Sequence, residues 1–282
     1  MSVGTGDADS ATEKRSFPDL NPGRIVRGTL GTAGFLVLWW VASSLVEPAY
    51  LLPSPAAAAS AFVEQLTMSA WFTVPLVGTE IRTSRMVVKL AQTLLHYVPG
   101  LLVGASSGIA FGIALGWSGR LDDALTPVVR VLRPIPPLAW VVFAIVWFGI
   151  GHAGAAFIVF VGAFWINVYG AYSGVEDTPG RLTEVASSLG VRADLGMIRH
   201  VVLPSAAPQI LTSFRTSIGR CLMIVVGAEL FGAPGVGYEI LNASNNLAMD
   251  TSVAYMLVIS LVYLVTDGAF RGLEGRMLAW RE

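Results

Sequence analysis

The sequence predicts an all-α integral membrane protein of about six transmembrane helices. Charged residues are 13% of the 282 positions and hydrophobic residues 54%, against about 25% charged in a soluble domain, and mean hydropathy is +0.65. The apolar residues gather into segments close to the roughly 20 residues that a helix needs to cross a bilayer. The basic residues fall unevenly between those segments, as the positive-inside rule requires of a multi-pass chain.

Residues 1–28 are polar and read as a cytoplasmic tail. Their mixed acidic and basic character does not suit a signal peptide, so the apolar span from Thr29 to about Val46 is read as a retained membrane helix. Leu51-Leu52-Pro53-Ser54-Pro55 breaks the chain, and an Ala-rich helical stretch follows to about Leu66. The segment 67–90 is mixed and carries Glu80, Arg82, Arg85 and Lys89.

A long apolar helix is expected from Leu90 to Trp117. Its glycines, Gly100, Gly104, Gly108, Gly112 and Gly116, recur every four residues and so share one helix face, where another backbone can approach closely. Two uses of that face are open, tight packing and a sliding contact. A polar loop from Ser118 to Arg133 comes next. The run from Pro134 to Val175 contains no Asp, Glu, Lys or Arg and is long enough for two spans, turning near Gly149-Ile150-Gly151-His152. His152 reads as a polar residue at that turn.

A polar segment, 176–205, precedes the fifth span, about Ala206 to Phe231. The loop Pro234-Gly235-Val236-Gly237 and a sixth span, about Ser252 to Phe270, complete the 29–271 membrane domain, and 272–282 form a second cytoplasmic tail. With both termini inside, thirteen of the 18 basic residues lie on the cytoplasmic side. Arg82, Arg85 and Lys89 lie on the other side and fit the rule poorly.

Several chemistries are excluded. Cys221 is the single cysteine, so neither an intrachain disulfide nor a thiolate metal cage can form. Lys14 and Lys89 are the only lysines and neither follows a Gly-rich run, so the chain has no P-loop. A net charge of -1 gives no nucleic-acid footprint. His96, His152 and His200 are far apart in sequence, and no catalytic or metal site is read.

The segment 176–205 carries the sharpest signal. Thr178 and Pro179 suit an N-cap and first helical position. A short amphipathic helix through Leu182, Val185, Ala186 and Leu189 would end at Gly190 in a left-handed cap. A second stretch, Ala193 to about Val202, would stop at Leu203-Pro204. A plain connector could be much shorter, so the elbow is read either as a structured connector or as a docking surface for a cytosolic partner.

Glu184-Val185-Ala186-Ser187-Ser188-Leu189-Gly190, followed by Ile198-Arg199-His200-Val201-Val202-Leu203-Pro204, resembles the EAA loop of ABC importer permeases. Val185 replaces the first Ala, and one extra residue separates Gly190 from Pro204, which predicts a bulge after Gly190. Leu51–Pro55, Leu132–Trp140, Trp147–Gly151, Ala228–Gly232 and Gly235–Tyr238 are similar to the nitrate/sulfonate/taurine branch of that family. The resemblance covers about residues 30–281 in order. It implies a type I ABC importer permease fold in a prokaryotic cell membrane, surrounded by lipid. The implied partners are a second permease copy, ABC ATPase subunits holding ATP and Mg, and an extracytoplasmic solute-binding protein. No cofactor is expected on this chain. Glu184, Ala186, Leu189, Gly190, Leu203 and Pro204 fall on the coupling motif. Glu184 would bond a partner or cap its own elbow.

Ionisable groups within spans normally face protein or water. Arg220 is the deepest and could attract an anion or pair with Glu229. Trp165 and Asn167 are further candidates for the path. Glu229 and Asp267 lie near span ends, where they can reach an interface. A small anion is the leading cargo. A secondary transporter would need inverted repeats, and a membrane enzyme a polar cluster; neither pattern is seen.

Overall fold

In a computed structural model, residues 22–48, 50–73, 80–191 and 194–277 are described. Eleven helices, α1 to α11, and one two-stranded ribbon make up the described fold. Five helical segments are long and apolar enough to cross a membrane, Ile25–Leu45, Arg85–Trp117, His152–Glu176, Asp194–Glu229 and Met249–Gly272, and a bent pair can supply a sixth.

The first helix, α1 (Pro22–Leu45), begins ahead of the expected Thr29 and absorbs the end of the predicted tail; the rest of 1–28 lies outside the described residues. Trp39 Nε1 donates to Pro53 O across the Pro-rich break. Ser54 caps α2 (Pro55–Thr67), with Pro55 opening the helix and Ala57 N donating to the Ser54 hydroxyl.

The mixed segment is a departure from an all-helical chain. β1 (Ser69–Thr73) and β2 (Glu80–Ser84) pair antiparallel, with Trp71 opposite Arg82 and Phe72 opposite Ile81. Trp71, Phe72, Thr73, Ile81 and Thr83 are residues that favour strands, but the short run among charges gave little period to read.

The glycine helix, α3 (Arg85–Trp117), starts five residues before Leu90. It runs in the same direction as α6 (His152–Glu176) at backbone contact distance. A Cβ at Gly100 would lie 2.5 Å from Ala156 O, at Gly104 2.5 Å from Phe160 O, and at Gly108 2.5 Å from Phe164 O. At Gly112 it would strike Val168 O, and at Gly116 it would lie 2.8 Å from Val175 Cβ. Four-residue steps on α3 thus meet four-residue steps on α6, so the stripe is a packing surface.

Two expectations between these helices are corrected. The loop Ser118–Arg133 is instead α4 (Gly119–Leu132), capped by Ser118, whose hydroxyl accepts from Leu121 N. The first span of the uncharged run is short: a 3-10 turn Pro137–Trp140 leads into α5 (Val141–Phe148). α4 and this segment meet at 87°, because Pro134, Pro136 and Pro137 cannot continue a helix through the junction. Gly149, at φ +74°, turns the chain into α6.

After α7 (Gly180–Ser188) and α8 (Asp194–Met197), a π-helical turn, Ile198–Val202, runs into α9 (Leu203–Glu229). α9 packs antiparallel to α6, with Gly174 against Ala206 and Gly170 against Ser213. α10 (Val236–Asn245) and α11 (Met249–Met277) close the fold. The central core joins Tyr97 and Leu101 of α3, Val159 and Ala163 of α6, Cys221, Leu222 and Val225 of α9, and Phe270 of α11.

Substituting Val for Gly108 would force the α3 and α6 backbones apart. We expect a loss of about 1–3 kcal/mol or more, read as a lower Tm of the detergent-purified protein. The same change at Gly119, with open space around its Cβ position, should leave Tm within a degree or two of wild type, since open surface sites change stability by only about 0.5 kcal/mol.

Candidate functional site

The elbow forms at one end of the bundle. Thr178 does not cap α7: its hydroxyl donates back to Gly174 O at the end of α6, and Pro179 takes the cap position. The other end of α7 is as expected. Gly190 has φ +92°, Gly190 N donates to Ser187 O (3.1 Å) and Val191 N to Ala186 O (3.0 Å). That pair of bonds is a Schellman motif, which needs a residue free to enter the left-handed region.

Ala186 is the buried anchor of α7, packed with Val175, Met197, Val202 and Ala206 and flanked by Trp117 of α3. Leu182, Val185 and Leu189 point away from that cluster and are exposed, Leu189 to 80%. Glu184 is exposed too, and its backbone carbonyl accepts from the hydroxyls of Ser187 and Ser188. The elbow therefore has a fixed inner side and an unpartnered apolar outer side.

The chain does not stop at Leu203-Pro204. A continuous helical segment runs from Asp194 to Glu229, and it contains a π-helical turn, Ile198–Val202, where Leu203 N donates to Ile198 O. The widened turn gives room to Pro204, which has no N–H to contribute to the helix.

Between α6, α9 and the Pro-rich bend lies an open cavity of about 500 Å³, lined by Arg133, Trp165, Tyr169, Gln209, Ser213 and Arg220 among others. Gln209, Thr212, Thr216 and Arg220 share one face of α9, and all four are exposed. Thr212 and Thr216 donate to backbone carbonyls one turn earlier, which leaves hydroxyl lone pairs and the amide of Gln209 on that face. The Arg133 guanidinium sits 4.1 Å from the Tyr169 ring centroid, a cation–π contact. Among the described residues no Asp or Glu lines this cavity.

Trp165 and Arg220 are thus brought together. Asn167 is not: it is wholly buried, its Nδ2 donating to Ala163 O (2.8 Å) and its Oδ1 facing the Ser213 hydroxyl. Gln209, Thr212 and Thr216 were missed, although a polar residue every three or four positions in a membrane helix is a readable signal. Arg220 does not pair with Glu229. Glu229 is fully buried rather than at an interface, and it bonds His96 Nε2 (2.5 Å) and Gly237 N (2.5 Å). Asp267 pairs with Arg215 (2.9 Å) and Arg271 (2.6 Å). Arg220 makes no ion pair among the described residues.

His152 is more than a turn residue. Its Nδ1 lies 3.0 Å from Nδ1 of His96, across 56 positions of chain. No spacing rule links these histidines, and only the fold reveals the contact. Nearby, Arg85 and Lys89 both bond Glu239 (3.0 and 2.8 Å), which neutralises part of the positive charge that fitted the sidedness rule poorly.

Residues 108–279 match the family described as "Binding-protein-dependent transport system inner membrane component". The chain is 29% identical to the taurine transport system permease protein TauC of Escherichia coli (strain K12), over 91% of this chain and 90% of that one. It is 30% identical to the bicarbonate transport system permease protein CmpB of Synechococcus elongatus, over 89% and 85%. The MetNI methionine ABC transporter, solved in inward-facing conformations, has the same fold, with TM-score 0.56 at 23% identity, covering 66% of this chain and 94% of that one. A membrane bundle with an exposed elbow and a P-loop-free sequence agrees with these likenesses: the chain belongs to the binding-protein-dependent inner membrane components, the permease subunits of ABC importers.

Proposed function

We propose that this permease carries a small anion and is driven through α7 by a separate ATPase. The observation that carries the reading is the two-sided elbow. Ala186 locks α7 to α3, α6 and α9, while Leu182, Val185 and Leu189 remain exposed beside Glu184. Burying one leucine is worth about 1.5–3 kcal/mol, so this face gains most from a partner groove. ATP and Mg belong to that partner, and a solute-binding protein delivers cargo at the opposite end.

Orientation follows from charge. Arg120, Arg130, Arg133, Arg181 and Arg199 lie toward the α7 end, which supports a cytoplasmic position for that end and both termini. A second copy of the chain would complete the path along the exposed face of α9. An anion is favoured because Arg133 and Arg220 line a cavity with no Asp or Glu among the described residues, and a mid-span arginine is costly unless water or an anion reaches it. The bicarbonate relative agrees with that class, and taurine, though a zwitterion, carries an anionic sulfonate.

Two outcomes test the reading in proteoliposomes holding the permease, ATPase and binding protein. Gly190→Pro removes the Gly190 N–H bond and forbids its φ; ATP-driven uptake should be abolished while membrane insertion and Tm of the bundle survive. Unchanged uptake would refute coupling through α7. Arg220→Gln should lower anion uptake about ten- to a hundredfold, the equivalent of one charge-assisted hydrogen bond of about 1.5–3 kcal/mol, with Arg220→Lys intermediate. Equal uptake by all three would remove Arg220 from the path.

A further inference from the structure

At the end of the molecule opposite α7, four elements meet around one carboxylate. Glu229 ends α9, and its Oε2 accepts from Gly237 N in the first turn of α10. A Cβ at Gly235 would run into that carboxylate, and one at Gly237 would lie 2.9 Å from Glu229 Cβ, so the chain wraps tightly around it. The Thr93 hydroxyl of α3 accepts from Val236 N (2.9 Å). His96 of α3 bonds the other Glu229 oxygen, and His152 at the start of α6 bonds His96. Glu229 and His96 are wholly buried, whereas His152 is exposed.

Hydrogen-bond logic fixes how this row works. With His96 neutral, Nε2–H donates to Glu229, so Nδ1 must accept, and His152 donates from its own Nδ1. The other nitrogen of His152 then carries a lone pair and can take a proton from solvent. Passing the Nδ1 proton from His152 to His96 makes His96 an imidazolium against the Glu229 carboxylate. The solvent-derived proton stays on His152, which returns to a neutral ring. The count balances: one proton enters, no other bond changes, and the buried charge falls from -1 to zero.

We propose that Glu229, His96 and His152 form a proton-binding relay that sets the hold of the α9–α10 turn on α3 and α6. The proton-loaded relay turns a carboxylate held by neutral donors into a buried ion pair, a stronger bond. Acid therefore tightens this end of the bundle and slows any transport cycle that opens it. Other charges around the relay are already committed: Glu239 of α10 holds Arg85 and Lys89 of α3. Among the described residues, the other groups bonded at this turn, Thr93 of α3 and the α10 amides, do not titrate in this range.

The side from which protons enter rests on the orientation proposed above, and the experiment separates the two ideas. Uptake is measured in proteoliposomes of the full transporter, with outer and inner pH set independently between about 5 and 8, the range in which imidazole titrates. Wild-type uptake should fall severalfold as the outer pH drops at fixed inner pH. His96→Gln, which keeps a donor to Glu229 but cannot titrate, and His152→Gln, which removes the exposed proton acceptor, should both flatten the fall. A profile that follows inner pH alone and flattens in both variants supports the relay and overturns the orientation. Variants that keep the full wild-type pH profile overturn the relay. Should His96→Gln fail to fold, the exposed His152→Gln still decides the matter.

Discussion

Everything in this fold is hung on the contact between α3 and α6. Five glycines at four-residue steps let the α3 backbone lie against successive carbonyls of α6, so two parallel helices act as one rigid slab. In a bilayer there is no hydrophobic force between helices, and close packing of small residues takes its place. Polar groups can be held at both ends of the slab because the slab itself does not yield.

At one end the slab supports the elbow. Trp117 and Ile113 from α3, Val175 from α6 and Ala206 from α9 surround Ala186, so α7 is anchored to three long helices together. The π-helical turn before Pro204 lies where α8 hands over to α9. Anchoring on one side and an exposed apolar face on the other are what the proposed coupling to an ATPase requires.

Ionisable groups within the bundle sort by partner. Asp267 is satisfied by Arg215 and Arg271, and Glu229 by His96 and a backbone amide; both are structural ties between distant helices. Arg220 has no such tie among the described residues and lines a cavity with Arg133 and Trp165. What separates Arg220 from Asp267 and Glu229 is therefore whether the fold supplies a bonding partner, not how deep the residue sits.

Composition, period and sidedness were enough for the class, the long helices, the glycine face and the elbow with its Gly190 turn, because each depends on neighbours within a few positions of chain. The strands Ser69–Thr73 and Glu80–Ser84 and the helical character of Gly119–Leu132 were not legible, since short segments with mixed polarity have no clear period. The bend at Pro134–Pro137 was hidden inside a long apolar run whose length alone suggested two straight crossings. Only tertiary structure separated Asn167 from Arg220, gave Glu239 to Arg85 and Lys89, and joined His96 to His152 and Glu229. Those pairings span tens to hundreds of positions, and a one-dimensional pattern carries no record of which helix faces will meet.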